Sequence, residues 1–396
     1  MAQDKKHIIF IHKAIERIGE LATQIWRLRN VIDEDEYQLT ILTMPIYNPR
    51  INKSLYNVVM RDVNVINTLS DLLHTEIPPI FVTESNNSFA FLNGREKALF
   101  ANKFKDKTPH YFFHLTDYEF EKGLRIRKKL SIPESAPIVT VHLRDTGYLR
   151  YYHYHNYRNP ITQHYIPAIK YLIDEGYYVV RIGDKSMQPI VNAPPQFVDA
   201  PFHSDYSDFF DTYFLANSSF YFGSSSGPMT VASAFNVPLL ITDAPMNSSV
   251  GGTKQDLLVL KKYYSHQLNR YLSYEESLML PIVDYLRSEC FKNVEIDVVA
   301  NSIEEILMAC KEMVERLNGT YSSYQNAQKA NQYIKEINNK AYYLRQKNNY
   351  DSSKYSEELN KNEILYFSFD DLFVTPIQIS YEFLKLNPYF LGHICS

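Results

Sequence analysis

The chain has 396 residues, of which 41 are Lys or Arg and 45 are Asp or Glu, for a formal net charge of −4. That length exceeds one ordinary core and implies two domains, while 45% hydrophobic and 22% charged residues describe a soluble globular protein. The acidic balance argues against a general nucleic-acid or anionic-membrane binder and leaves room only for a local basic site.

HIIFIH (7–12) reads as a short strand, and KAIERIGELATQIWRLRN (13–30) as a helix with apolar residues at Ile15, Ile18, Leu21, Ala22, Ile25 and Leu28. EYQLTILTMP (36–45) is a second strand, so this opening βαβ unit implies a parallel sheet. Residues 50–75 have helical character, and PPIFVTES (78–85) is a further strand. Residues 1–130 make the first α/β domain. A polar, Pro-bearing linker, SIPESAP (131–137), opens a second domain spanning 131–318. Its strands are IVTVHLR (138–144), YYVVRIG (177–183), QFVDA (196–200), FYFGSSSG (220–227, ending in a turn) and VPLLITD (237–243). Its helices are 162–176, ended by Gly176, then 205–219, 228–236 and the amphipathic 302–317. Residues 319–396 form a helical extension: a polar helix (319–346), a linker (347–362) and an amphipathic tail (377–392) that docks on the body. The expected fold class is α/β, with two Rossmann-like domains.

Cys290, Cys310 and Cys395 form neither a CxxC pair nor a disulfide framework, which points to a reducing cytoplasm. The N-terminal apolar run covers only Ile8–Ile11, too short for a signal peptide. No stretch approaches the roughly 20 apolar residues of a membrane span. With 32 tyrosines in the chain, a single tyrosine carries little information.

Open α/β sheets bind ligands outside the carboxyl ends of their strands. In the second domain those ends are HLRD (142–145), RIGD (181–184) and YFGSSSGP (221–228). Arg144 is the strongest candidate, because a planar guanidinium suits phosphate. The competing role is an ion pair with Asp145 or Asp184. In GSSSG (223–227) small residues allow close backbone approach, and the helix opening at Pro228 offers free N–H groups to an anion. The same residues match the G-x-S-x-G elbow, which would make Ser225 a hydrolase nucleophile with Asp243 or Asp256 and His266. No HGGG-type oxyanion segment precedes it, and three serines stand where one is expected. Tyr148, Tyr151, Tyr152, Tyr154 and Tyr157, with Arg150 and Arg158, could stack on a sugar or base. His153 and His155 lack a third metal ligand. DED (33–35) has the form of a Mn²⁺-binding D-x-D but sits at the wrong end of a strand, and GGTKQD (251–256) lacks phosphate-loop spacing. In the first domain Gly19, inside a helix, asks for close packing or a ligand. Glu20 and His12 are candidates for a general base.

VHLRDTG, YLIDEGYYVVRIGD, FGSSSGPMTVASAFNVPLLITD, SIEEILMACKEM and the tail NPYFL together resemble a family of bacterial glycosyltransferases of surface-polysaccharide and glycan loci. The resemblance spans most of the chain and is densest at 138–245. More distantly, HLRD, RIGD and GSSSG resemble the donor-site motifs of GT-B fucosyltransferases. The resemblance implies two Rossmann-like domains facing a cleft, with the acceptor on the N-terminal side and a nucleotide-sugar donor on the C-terminal side. It implies no required metal and no other cofactor. Carried over by position, Arg144 neutralises the leaving β-phosphate with His142 beside it. Ser224, Ser225, Ser226 and Gly227 bind phosphate, and Gly183 and Asp184 border the nucleoside. Gly19, Tyr148, Arg150 and Tyr152 are assigned to the acceptor sugar, and Glu20, His12 or Asp145 to its proton. Asp145 stands where the fucosyltransferases often have a second basic residue, which counts against a GDP-fucose donor. The expected partners are a nucleotide sugar and a glycan or lipid-linked acceptor, with no nucleic acid. The expected place is the cytoplasm, with room for peripheral contact at the inner membrane face. No residue pattern points to an oligomeric state. The competing classes are a sugar-nucleotide hydrolase or epimerase and a non-catalytic nucleotide- or carbohydrate-binding protein.

Overall fold

A computed structural model of the chain describes residues 6–12, 14–68, 80–83, 89–91, 108–147, 153–191, 193–246, 252–347 and 377–392. In chain order the elements begin with β1 (Lys6–His12), α1 (Ile18–Val31), β2 (Tyr37–Thr43), α2 (Lys53–Val59), β3 (Asn64–Asn67), β4 (Ile80–Thr83), β5 (Phe89–Phe91) and α3 (Asp117–Lys129). Then come β6 (Ile138–His142), α4 (Ile166–Asp174), β7 (Tyr178–Arg181), β8 (Phe197–Asp199), α5 (Asp208–Ala216), β9 (Phe220–Ser224), α6 (Gly227–Ala234) and β10 (Leu239–Ala244). The chain continues through β11 (Leu257–Leu260), β12 (Lys262–Ser265), β13 (Arg270–Tyr271), α7 (Tyr274–Met279), α8 (Ser288–Asn293) and β14 (Ile296–Val299). It closes with α9 (Ile303–Leu317), α10 (Tyr324–Lys347), β15 (Gln378–Ile379) and α11 (Tyr381–Leu386).

The chain divides into two compact units. The first comprises Met1–Glu134, Ser204–Ser218 and Ser226–Val237. Its sheet runs β3-β2-β1-β4-β5, with β1, β2 and β3 parallel and β4 and β5 antiparallel. The expected βαβ opening is present. The helix expected over 50–75 stops at Val59, and Asn64–Asn67 instead pairs with β2. The β-branched pair Val65 and Ile66 favours a strand there. Leu21, Ala22, Ile25 and Leu28 of α1 are buried, as are Ile8, Phe10 and Ile41 of the sheet. It packs on α6 through Gly19: a Cβ there would stand 2.6 Å from Gly227 Cα and 2.9 Å from Thr230 Oγ1. Close helix packing is therefore the use of the glycine in RIGEL.

The second unit comprises Ser135–His203, Ser219–Ser225 and Pro238–Ser396. Its seven-stranded sheet runs β15-β11-β10-β9-β6-β7-β8, and every pairing is parallel. The fold is thus mixed α/β with a mostly parallel sheet. The central strands are mainly apolar, as burial on both faces favours: Val139, Val141, Val179, Val180, Phe220, Phe222, Leu240 and Ile241 are all buried. Residues 257–299, to which the sequence assigned no elements, supply β11 and a small antiparallel sheet, β13-β12-β14. α9 starts at a capping box, with Ser302 and Glu305 satisfying each other's backbone amides. β15 extends the sheet beside β11, and Phe383 and Leu384 of α11 are fully buried. Among the described residues no helix is long and apolar enough to cross a membrane.

Candidate functional site

The register of the large sheet brings the three predicted strand ends to one edge. β6 lies between β7 and β9, with Val141 opposite both Arg181 and Phe222 and His142 opposite Gly223. Gly223 has φ 155°, and a Cβ there would fall 2.1 Å from the His142 carbonyl oxygen. A side chain at this position would push β9 off β6, so the first glycine of GSSSG is required by strand packing.

Arg144 follows directly from that pairing. Its amide donates to the Ser224 hydroxyl at 2.9 Å, which fixes the residue against the serine turn. The guanidinium is half-buried, and among the described residues it forms no ion pair. Neither carboxylate considered as its partner takes that role. Asp145 accepts from the amides of Gly147 at 2.8 Å and Gln188 at 3.2 Å, and Asp184 accepts from Ser186 at 2.8 Å. Burial pushes the Arg144 pKa down to about 10, and the nearby charge of Arg158 pushes the same way, against Tyr157 and Asp145. Arg144 stays protonated at neutral pH, a cation with its solvent partly removed.

Arg158 reaches the same turn from the other side. Its Nη2 donates to the Ser225 carbonyl at 3.1 Å. Burial, then the charges of Arg144 and Arg181, holds His142 down at about 3, so it is a neutral ring at pH 7. Arg181 is not a free cation: it is buried and paired with Asp199 at 2.9 Å. Gly183 (φ 144°) turns the chain after β7, where a Cβ would meet Met187 Sδ at 2.1 Å. Ser224, Ser225 and Ser226 are all buried, and the chain passes from them into α6 at Gly227. Arg144, His142, Ser224, Ser225, Gly183 and Asp184 therefore gather at the carboxyl edge of one sheet.

Tyr148, Arg150 and Tyr152 are outside the described residues. His153–Arg158, which holds His153 and His155, is a 3-10 turn. Tyr154 lies under the Arg287 guanidinium (4.8 Å) and Tyr157 against Phe291 (5.1 Å), so both serve packing. In the first unit His12 is fully buried, and burial drives its pKa down to about 4, against the Leu21 and Glu20 backbone and the Glu20 charge. Glu20 is half-buried and accepts from Gln24 Nε2 at 2.7 Å. The DED segment is an acidic turn: Asp33 caps the Asp35 amide, and Glu34 pairs with Arg29. Among the described residues no cluster of three or more His, Cys, Asp or Glu could hold a metal ion.

The partners considered for a Ser225 nucleophile are engaged otherwise. Ser225 is only 2% exposed, His266 pairs with Asp297 on the surface, and Asp256 caps the amides of Leu239 and Thr253. Asp243 belongs to a buried network that the sequence did not reveal. Its Oδ1 accepts from Lys261 Nζ at 3.0 Å and from the Asn301 amide at 2.9 Å, and its Oδ2 accepts from the Tyr165 hydroxyl at 2.8 Å. Lys261 also donates to the Asn159 carbonyl at 3.1 Å, next to Arg158. Asp243 has φ 50°, a left-handed conformation that its several partners hold in place. The available signal was a lysine directly after the apolar run LLVL, where a parallel strand meets the binding edge.

No protein-family profile matches the chain, and no curated protein matches it. Among solved structures it is similar to a glycosyl transferase family 9 protein from Veillonella parvula (12% identity, 61% of this chain and 81% of that one, TM-score 0.36). It is similar also to the ADP-heptose LPS heptosyltransferase II of E. coli (14% identity, 60% and 84%, TM-score 0.34). A third is the E. coli heptosyltransferase WaaC with ADP-2-deoxy-2-fluoro heptose (11% identity, 59% and 88%, TM-score 0.34).

Proposed function

We propose that the protein is a GT-B-type glycosyltransferase that moves a sugar from a nucleotide-diphosphate donor to a glycan or lipid-linked acceptor, without a metal. The observation that carries this reading is Arg144: a half-buried residue whose backbone amide is tied to the serine turn and whose guanidinium has no ion-pair partner among the described residues. A cation held in this way is stabilised when an anion arrives.

The departing diphosphate gains negative charge as the glycosidic bond breaks, and preorganised donors are worth most where charge develops. Arg144 supplies the charge, and Ser224 and Ser225 keep the turn beside it. Gly183 and Asp184 border the nucleoside in this reading. If the reaction inverts, Glu20, His12 or Asp145 takes the acceptor's proton; His12 is fully buried and Asp145 accepts from two backbone amides. This chemistry places the reaction in the cytoplasm, where nucleotide sugars are made, with peripheral membrane contact if the acceptor is lipid-linked.

Thermal denaturation with UDP, GDP, ADP, CMP and their sugars tests the proposal. A ligand at 100 times its dissociation constant adds about 2.7 kcal/mol, or several degrees in Tm. A flat response across the panel would sink the reading.

A further inference from the structure

The loop after Arg144 brings a second guanidinium to the serine turn. Arg158 ends the 3-10 turn His153–Arg158 and holds the Ser225 carbonyl, one residue from the Ser224 hydroxyl that accepts from the Arg144 amide. Two basic residues thus fasten consecutive residues of one turn. Among the described residues neither guanidinium forms an ion pair, and Asp145 and Asp184 accept from backbone amides. The charge of Arg158 is felt at Arg144, and such like charges repel unless an anion lies between them.

The repulsion is not relieved by letting the loop swing away. The Ser288 hydroxyl donates to the Tyr154 carbonyl at 3.0 Å and accepts from the Tyr157 amide at 3.3 Å. The Tyr157 ring rests on Phe291, and Lys261, anchored by Asp243, holds the Asn159 carbonyl at 3.1 Å. The residues on both sides of Arg158 are therefore fixed from the body of the unit.

We propose that Arg158 is a second cationic arm of the phosphate site, matching it to the paired phosphates of a nucleoside diphosphate and setting it against ligands with a single phosphate. This rests on the reading that this edge of the sheet binds the donor's phosphates. Arg144 meets one phosphate group and Arg158 its neighbour, so the second arm is of use only when a second phosphate is present.

Isothermal titration of the full chain with ADP, UDP and GDP, with AMP, UMP, GMP and CMP, and with inorganic pyrophosphate and phosphate tests this. The wild-type chain should bind its best nucleoside diphosphate at least about tenfold more tightly than the matching monophosphate. Arg158→Met should weaken the diphosphate about 10- to 100-fold and change the monophosphate by less than about threefold. Arg158→Gln keeps a donor for the Ser225 carbonyl but removes the charge, and should show the same selective loss; it also serves if the Met variant does not fold. Equal loss of mono- and diphosphate would mean that Arg158 only shapes the turn, and no loss would mean that it takes no part. Either result overturns this inference, while diphosphate binding that disappears in Arg144→Met would leave the glycosyltransferase reading standing. A wild-type chain that binds no diphosphate would overturn both.

Discussion

The amide of Arg144 donates to the hydroxyl of Ser224 across the β6–β9 pair, at 2.9 Å. This bond ties the backbone of Arg144 to the serine turn. Ser224 is fully buried, so Ser224→Ala leaves the amide without that partner. A buried donor left unsatisfied costs about 1–3 kcal/mol. Urea unfolding should show a loss in that range, with nucleotide affinity falling as well.

Arg144→Ala should abolish turnover and weaken nucleoside diphosphate binding by about tenfold or more, as loss of a charge-assisted contact predicts. Ser225→Ala should only reduce activity, because its carbonyl, rather than its side chain, takes the Arg158 bond. Steady-state kinetics on both variants checks this. Total loss of activity in Ser225→Ala, with nucleotide binding intact, would instead mark a serine nucleophile.

Lys261 and Asp243 are both almost wholly buried, and removing one leaves the other charged in a dry place. Lys261→Met should destabilise the protein by about 3–5 kcal/mol. The double variant Lys261→Met/Asp243→Asn should recover part of that loss. Denaturant titration of the single and double variants measures the difference.

Gly19→Ala places a Cβ 2.6 Å from Gly227 Cα, a backbone atom that cannot turn aside. Overpacking of this kind costs about 1–3 kcal/mol. A lowered melting temperature is expected, whereas Gly176→Ala adds a Cβ that meets nothing within 4 Å and is strained only by its φ of 90°.

Burial raises Asp256 from 3.8 to about 7 in the folded chain. Between pH 4 and 7 the folded form therefore holds a proton that the unfolded form has released, and this group's contribution to stability falls as pH rises. His12 and His142, lowered to about 4 and about 3, act in the opposite sense and lose their contribution as pH drops below 6.5. The Asp256 part is isolated as the difference between wild type and Asp256→Asn. That difference should shrink with rising pH by at most about 1.4 kcal/mol per pH unit, then level off above pH 7. A difference that stays constant from pH 4 to 8 would refute the assignment.

The strands that carry the site were legible because each is an apolar run ended by a polar or glycine residue: IVTVH before Leu143–Arg144, YVVR before Gly183, FYFGS before the serines. Local pattern sufficed there. It failed at Asn64–Asn67, where four residues are too few to set a period, and at β15, whose two residues are a strand only because β11 lies beside them. The partners of Arg158 and Lys261 were not legible, since their contacts join residues 67 and 102 positions apart in the chain. The sequence could nominate Arg144 for an anion. It could not show that Asp145 and Asp184 would turn to the backbone and leave that charge without an ion pair among the described residues.

The edge strand β15 gives the second unit an order of assembly. Residues 378–379 pair with Leu257 and Leu258, so β11 has an open edge until a segment about 120 positions later has left the ribosome. Until then Glu312, which ties Ser380 and the Glu382 amide, also lacks those two partners. A nascent chain halted before residue 377 would display an apolar strand edge of the kind that invites pairing between molecules.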